Sequence, residues 1–372
     1  MPSAEVTSRK IVIFFLPCVG LMPSGVRRAL DYEPYLATAG IDPLWLGYTP
    51  LLAYQRYTQA ELGGKSLILR FLRTVSHYGW RALISVGRVW SLLRLLILAP
   101  RAAGIFMQWV TPPAWYTRLL RRVNPNIAFD FDDAVFLLAP KAAQTLTRSS
   151  RVVAAGSHFN LEYAQRWNSR CVFLPTPVPA DRFDNVRVNK PSSPIVIGWV
   201  GSFSTLQYLE LVVRVLDRVA RQHSDVVLRV IGCGNRPERV PSFSQIKCEI
   251  VPWIPYTEVP TAVSRFDIGI MPLARTDWEK GKCVLKALEY MAAGVPPVVS
   301  RFGENVYAIS DGVDGFLADS EDEWVEKILR LVECSGLRAE MGAAARRTVL
   351  ARFSTEVCSK ILIDQVLRPL CD

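Results

Sequence analysis

The sequence predicts an α/β protein made of two Rossmann-like lobes, each a parallel sheet flanked by helices. Three observations predict it. At 372 residues the chain is long enough for two separate cores. Short apolar runs alternate with helix-forming stretches in both halves, the pattern of successive βα units. Between the halves, residues 176–194 are rich in proline, mixed in charge and without a long apolar run, which marks a linker. The expected division is 1–180 for the first lobe, 195–353 for the second and 354–372 for a closing helix.

Each element has a local reason. IVIFFL at 11–16 is a buried strand, GLMPSG at 20–25 a turn, and a helix begins near Val26. The turn lacks a GxGxxG spacing, so it gives no dinucleotide fingerprint. Further strands are expected at 42–46, 104–109, 127–131 and 151–155. After the linker come strands 195–200, 226–231, 246–250, 268–271 and 297–300, with a helix over 207–222. The helix-forming run within 277–293 stops at Gly294. The last helix, 355–367, spaces Val357, Ile361, Leu362 and Val366 on one face.

Composition narrows the partners. Half the residues are hydrophobic and 21% are charged, the balance of a fully folded chain. The net charge of +10 is uneven: 21 of 44 basic and 11 of 34 acidic residues lie in 1–185, and the remainder holds 23 of each. An excess confined to one half favours an anionic partner. No nucleic-acid motif accompanies it, so nucleic acid is not expected. Eight scattered cysteines without a CxxC pair suit reduced thiols, and three histidines are too few for a zinc hydrolase. The N-terminal apolar run is too short for a signal peptide, so a cytoplasmic location is expected.

Residues 66–101 stand apart. Arg70, Arg73, His77, Arg81 and Arg88 recur at helical intervals among leucines, Trp80 and Trp90. Such a stretch suits the interface of an anionic membrane, at the inner face of the cytoplasmic membrane; the alternative is a pair of surface helices with arginines in water. No window reaches ~18 uninterrupted apolar residues.

Several clusters carry possible chemistry. In DWEKGKCVLKALEYMAAGVPPVVS (277–300), Lys282, Lys286 and Glu289 fall on one helical stripe, which suits a diphosphate and ribose hydroxyls or, alternatively, an ordinary solvated face. In GWVGSFST (198–205), Gly201, Ser202 and Thr205 sit between strand and helix, where backbone N–H groups meet phosphate or where Ser204 or Thr205 caps the helix. IAFDFDDAVF (127–136) places Asp130, Asp132 and Asp133 at a strand end. Arg27 and Arg28, read as first-turn residues of the first helix, would hold an anionic acceptor or lie in water. His158 follows a strand and is a further acceptor-side candidate.

The 277–300 run resembles the donor-binding segment of retaining family-4 glycosyltransferases of the GT-B fold. The resemblance extends through FDIGIMPL (266–273), FGENVYAISDGVDGFLA (302–318), GWVGSFSTLQYL (198–209) and LRVIGCG (228–234), covering most of 195–353 in the family's order. It implies a cleft between the lobes, a closing helix that crosses back to the first, and hexosyl transfer from a nucleotide diphosphate sugar. Retention of configuration, with no metal and no cofactor, is also implied. Glu289 would bind ribose, Lys282 and Lys286 the diphosphate, and Glu304 and Asn305 the donor sugar. The DDA of 132–134 is similar to a branch in which Asp132 or Asp133 orients the sugar or the attacking hydroxyl of a glycan or lipid-linked acceptor, as in polysaccharide biosynthesis. Two departures stand out: the family's first glutamate is replaced by Gly281, and no Arg and Lys follow Gly201. Two other classes remain open: a catalytically silent nucleotide-sugar-binding scaffold, and a magnesium phosphatase using Asp130 and Asp132.

Overall fold

A computed structural model of the chain describes residues 9–20, 23–49, 67–184, 186, 193–234 and 237–371. The chain divides into two compact units, Met1–Thr176 with Cys358–Asp372, and Pro177–Val357. Parts of the predicted turn at 20–25 and of the predicted linker lie outside the described residues.

The first unit is a six-stranded sheet in the order β2-β1-β3-β4-β5-β6, every pairing parallel. The strands are β1 (Lys10–Leu16), β2 (Ile41–Gly47), β3 (Gly104–Gln108), β4 (Ile127–Phe131), β5 (Val152–Ala155) and β6 (Cys171–Phe173). β3 and β4 are buried at every position, as a sheet covered on both faces requires, so they read as unbroken apolar runs rather than alternating ones. Phe14, Phe106, Tyr32 and Leu36 form a core with Leu362, Val366 and Leu370 from the end of the chain. The closing segment therefore belongs to this unit's core. It is not one regular helix: Thr355–Ile361 is α-helical, Leu362–Leu367 is a π turn, and Arg368–Cys371 is α-helical again.

Three helices of this unit matter below: α1 (Pro23–Arg28), α2 (Leu67–Leu98) and α3 (Ala114–Val123). α2 is a single 32-residue helix, not the pair of surface helices given as the alternative. Nothing in 67–98 breaks it: the segment has no proline, and its glycines at 79 and 87 are isolated. The side chains of residues 67–78 and 80, including Arg70, Arg73, His77 and Trp80, lie outside the described residues.

The second unit is also six-stranded and parallel, in the order β12-β11-β10-β7-β8-β9. Its strands are β7 (Ile195–Val200), β8 (Val226–Ile231), β9 (Lys247–Val251), β10 (Ile268–Met271), β11 (Pro297–Ser300) and β12 (Phe316–Ala318). Apolar clusters cover both faces, one around Phe266, Tyr290 and Met291, the other around Trp199, Leu216 and Ile328.

Strand order reverses direction at β1/β3 in the first sheet and at β7/β10 in the second. In open parallel sheets, ligands bind beyond the carboxyl ends of strands at such switch points. Those two places hold the clusters described next.

Candidate functional site

In the second unit, β7 ends in Trp199-Val200 and turns at Gly201. A Cβ at Gly201 would lie 2.5 Å from Trp199 Cζ2 and 2.8 Å from Thr205 Oγ1, so the turn admits only glycine. Ser202 is the N-cap of a 3₁₀ run, Phe203–Val212, which α4 (Val213–Gln222) continues. The predicted helix over 207–222 is thus 3₁₀ in its first part, and its cap is Ser202, not Ser204 or Thr205. The Ser202 N–H donates to Thr205 Oγ1 at 3.2 Å, and that hydroxyl donates to Ser202 O at 3.0 Å. Ser202 and Ser204 hydroxyls meet at 2.9 Å.

The stretch expected to be one helix is two. α5 (Asp277–Lys280) ends at Gly281, and α6 (Leu285–Ala292) starts after Val284, which is left-handed at φ 60°. Lys282 lies in this break, so it does not share a helical face with Lys286. The reason is local: Gly281 closes α5 by donating to Asp277 and Trp278 carbonyls, and Val284 reverses the backbone before α6. The two lysines still interact, because Lys282's charge contributes to the state of Lys286. Burial first, then Lys282, lower the half-buried Lys286 ammonium to about 7, while Glu289 works in the opposite direction. Lys286 Nζ stands 5.0 Å from the centroid of Trp199, and Lys282 Nζ 5.4 Å from that of Trp278.

What fixes α6 is Tyr290. Its hydroxyl accepts from the Val200 N–H at 3.0 Å and donates to Ile270 O at 3.2 Å. Gly269 makes room, since a Cβ there would meet the Tyr290 ring. One helical turn before Tyr290, Lys286 is thereby brought to the end of β7. Glu289 is buried beside it. Glu304 and Asn305 follow β11 and are both buried; Asn305 Nδ2 donates to Ser300 O at 2.8 Å, and its Oδ1 has no hydrogen-bond partner among the described residues. Gly303, at φ 59°, packs against the backbone of Glu279 and Lys280.

Of the carboxylates near the missing glutamate, Asp277 is exposed. Glu279 is buried and accepts from the hydroxyls of Tyr208 and Thr276, which ties α5 to the 3₁₀ run after Gly201.

In the first unit, the carboxyl ends of β1, β3 and β4 bring together residues far apart in sequence. Gln108 Nε2 donates to Ser24 Oγ at 2.6 Å, and Ser24 Oγ donates to Asp132 Oδ1 at 2.9 Å. Gln108 is fully buried, and its Oε1 has no partner among the described residues. Gly156 packs on Asp132, where a Cβ would come 2.8 Å from Asp132 Cα. Asp133 is half-buried in the following turn.

Arg27 and Arg28 are not solvated first-turn residues. α1 starts at Pro23, which places them in its last turn, and both are buried. Arg27 Nη1 donates to Asp31 at 2.9 Å. Arg28 grips Asp130 in two hydrogen bonds, Nε to Oδ2 at 2.9 Å and Nη2 to Oδ1, and reaches Leu174 O and Thr176 Oγ1. Burial opposes the Arg28 charge, but Asp130 outweighs it and the guanidinium pKa is raised. Burial pushes the Asp130 carboxyl up and Arg28 pulls it down; since the guanidinium keeps its proton, the two stand as an ion pair. This removes the phosphatase reading, which needs Asp130 as an accessible nucleophile. His158 begins a helix, His158–Gln165, with its half-buried ring 4.5 Å from that of Phe173.

The sequence reading missed Trp199, Tyr290, Ser24 and Gln108. Gln108 had a signal, a polar residue ending an apolar strand, and Ser24 had its place in the Gly- and Ser-bearing turn; the other two had none beyond being aromatic.

Comparison with known proteins bears on the second unit. Residues 194–334 match the model of the family described as Glycosyl transferases group 1. This segment is similar to that family. A D-inositol 3-phosphate glycosyltransferase from Corynebacterium urealyticum is 27% identical over 188 residues, 47% of this chain and 43% of that protein. The chain thus spans less than half the length of that relative. Among solved structures, a glycosyltransferase from Rickettsia africae superposes with a TM-score of 0.67 at 16% identity, over 97% of this chain and 99% of that one. Anabaena HepE in complex with UDP does so at 0.65 and 13%, over 96% and 100%. These two likenesses are of fold, and the fold is GT-B.

Proposed function

We propose that the chain transfers a hexosyl group from a nucleoside diphosphate sugar to a hydroxyl acceptor, with retention and without metal. One observation carries the reading: a half-buried lysine, Lys286, held over Trp199 at the glycine turn of the β7/β10 switch point. A cation fixed there is preorganised for the charge that develops on a departing diphosphate. Lys282 adds a second charge, which is why no metal is needed to neutralise the leaving group. Glu289 takes the ribose hydroxyls, the Gly201–Ser202–Thr205 turn contacts the phosphates, and Glu304 and Asn305 the donor sugar; Asn305 Oδ1, without a partner among the described residues, is suited to a sugar hydroxyl. UDP is the first nucleotide to try, because HepE was solved with it.

In the step, the acceptor oxygen bonds to C1 on the face that the diphosphate leaves. The C1–O bond breaks, its electron pair goes to the diphosphate, and the acceptor proton follows to a diphosphate oxygen. Asp132, held by Ser24, orients the acceptor hydroxyl, with Asp133 beside it; Arg27 and Arg28, both engaged inside the first unit, support this cluster from within, and His158 lines the acceptor side. The acceptor class proposed is a glycan or lipid-linked glycan.

A thermal-shift panel with UDP, GDP, ADP and their sugar conjugates, with and without magnesium, tests this reading. Stabilisation by one nucleotide, independent of magnesium and lost in Lys286→Ala, is expected. A cooperative melt that no nucleotide shifts would leave the scaffold reading in its place.

A further inference from the structure

α2 is apolar on two opposite faces. Ile84 and Leu95 are buried against the first unit. Arg88 lies on the same side, with Nε donating to Thr49 Oγ1 at 3.2 Å and its guanidinium 5.2 Å from the Tyr48 ring, and Tyr116 of α3 donates to Leu92 O at 2.6 Å. On the other side, Leu83, Val86, Val89, Trp90, Leu93 and Ile97 are exposed, from 47% to 68%. At the helical repeat these six fall within one arc of about 120°, centred opposite Ile84 and Leu95. α3, tied to α2 through Tyr116, also exposes Trp115 and Leu119. Soluble surfaces rarely leave so continuous an apolar stripe in water.

Charge decides what covers it. Residues 62–129 contain ten Lys+Arg and no Asp or Glu. Arg94 borders the stripe on α2, and Arg118, Arg121 and Arg122 stand on α3. A second copy would bring two uniformly positive faces together, whereas an anionic lipid surface complements them. We infer that the exposed face of α2 lies in the interface of an anionic membrane, Leu83 to Ile97 down and the arginines at headgroup level. By length and composition alone, Arg81–Arg101 could cross a bilayer. Crossing, however, would pull Arg88 from Thr49 and strip Ile84 and Leu95 from the core, so the helix lies on the membrane and does not span it.

The test is co-sedimentation of the full chain with vesicles of phosphatidylcholine alone or mixed with phosphatidylglycerol. Binding to the mixed vesicles, weakened by added salt, is expected. Leu93→Glu combined with Ile97→Glu should lower that binding roughly tenfold or more. The melting temperature in solution should be unchanged, because both positions are exposed. Equal binding to neutral vesicles, or undiminished binding of the double variant, overturns the inference. So does retention in alkaline carbonate, which means spanning, or a wild-type dimer in light scattering that the double variant abolishes, which assigns the face to a second copy. None of these readouts depends on the proposed transferase activity.

Discussion

The ammonium of Lys286 stands 5.0 Å from the centre of the Trp199 ring, at the point where β7 turns through Gly201. A cation in this place is partly desolvated and beside a second lysine, and it titrates at about 7. The ring face compensates part of the lost hydration, as cation–π contacts do. The site is thus balanced between a charged and a neutral lysine until an anion arrives.

The first prediction follows from that balance. A nucleoside diphosphate favours charged Lys286, so binding above pH 7 takes up a proton. Apparent affinity should fall as pH rises from 7, by up to about tenfold per unit, until the higher pKa of the complex is reached. Isothermal titration in buffers of different ionisation enthalpy measures the proton uptake, and Lys286→Arg should abolish it. The free fold shows the opposite trend. Its depressed lysine holds fewer protons than the unfolded chain between pH 7 and the ordinary lysine range, so this group adds stability as pH rises through that window. Lys286→Met should remove that slope from denaturant melts.

Tyr290→Phe isolates the brace behind the lysine. The variant keeps the ring packed against Gly269 but leaves the Val200 N–H and Ile270 carbonyl without their partner. A loss of about 1–3 kcal/mol in urea melts is expected. Nucleotide affinity should fall as well, because α6 no longer has its anchor to β7. Unchanged affinity in a destabilised variant would mean that α6 is held by packing alone.

In the first unit, Arg28 and Asp132 should separate fold from function. Arg28→Ala leaves Asp130 as a buried, unpaired carboxylate and should cost about 3–5 kcal/mol. Asp132→Asn retains an oxygen for Ser24 and should melt close to wild type. If Asp132 orients the acceptor, the variant should lose kcat for transfer while nucleotide binding is unaffected. Equal loss of both would place its effect on the fold.

Most strands were legible; the short edge strands β6 and β12 and the breaks between helices were not. Five of the strands, Ile127–Phe131, Ile195–Val200, Val226–Ile231, Ile268–Met271 and Pro297–Ser300, coincide with the runs expected from sequence, because parallel strands covered on both faces are written as continuous apolar segments. β9 came one residue later than expected, which an edge strand with a mixed burial pattern does not specify. The break at 281–284 was hidden because Gly281 reads as an isolated helix glycine and nothing about Val284 announces a left-handed backbone. Lys286 was found through its motif, but Trp199, the residue that receives it, is far away in sequence and comes beside it when Tyr290 bonds to Val200. Arg28 shows the other limit: a basic residue near a turn reads as solvated until a carboxylate 102 positions away is folded against it.

The last prediction concerns the carboxylate nearest the position where Gly281 replaces the glutamate expected by resemblance. Glu279 is buried and already receives two hydroxyl hydrogen bonds, from Tyr208 and Thr276. A side chain so engaged acts on the donor turn through Tyr208, as a positioning residue, rather than by holding the sugar. Glu279→Gln should therefore weaken the nucleoside diphosphate and its sugar conjugate by the same factor, since both depend on the Gly201 turn. A double-mutant cycle with Tyr208→Phe should return a coupling of about 0.5–3 kcal/mol in stability, as expected for contacting residues. If instead the variant binds the bare diphosphate normally and loses only the sugar conjugate, Glu279 contacts the sugar and takes over the role left open at Gly281.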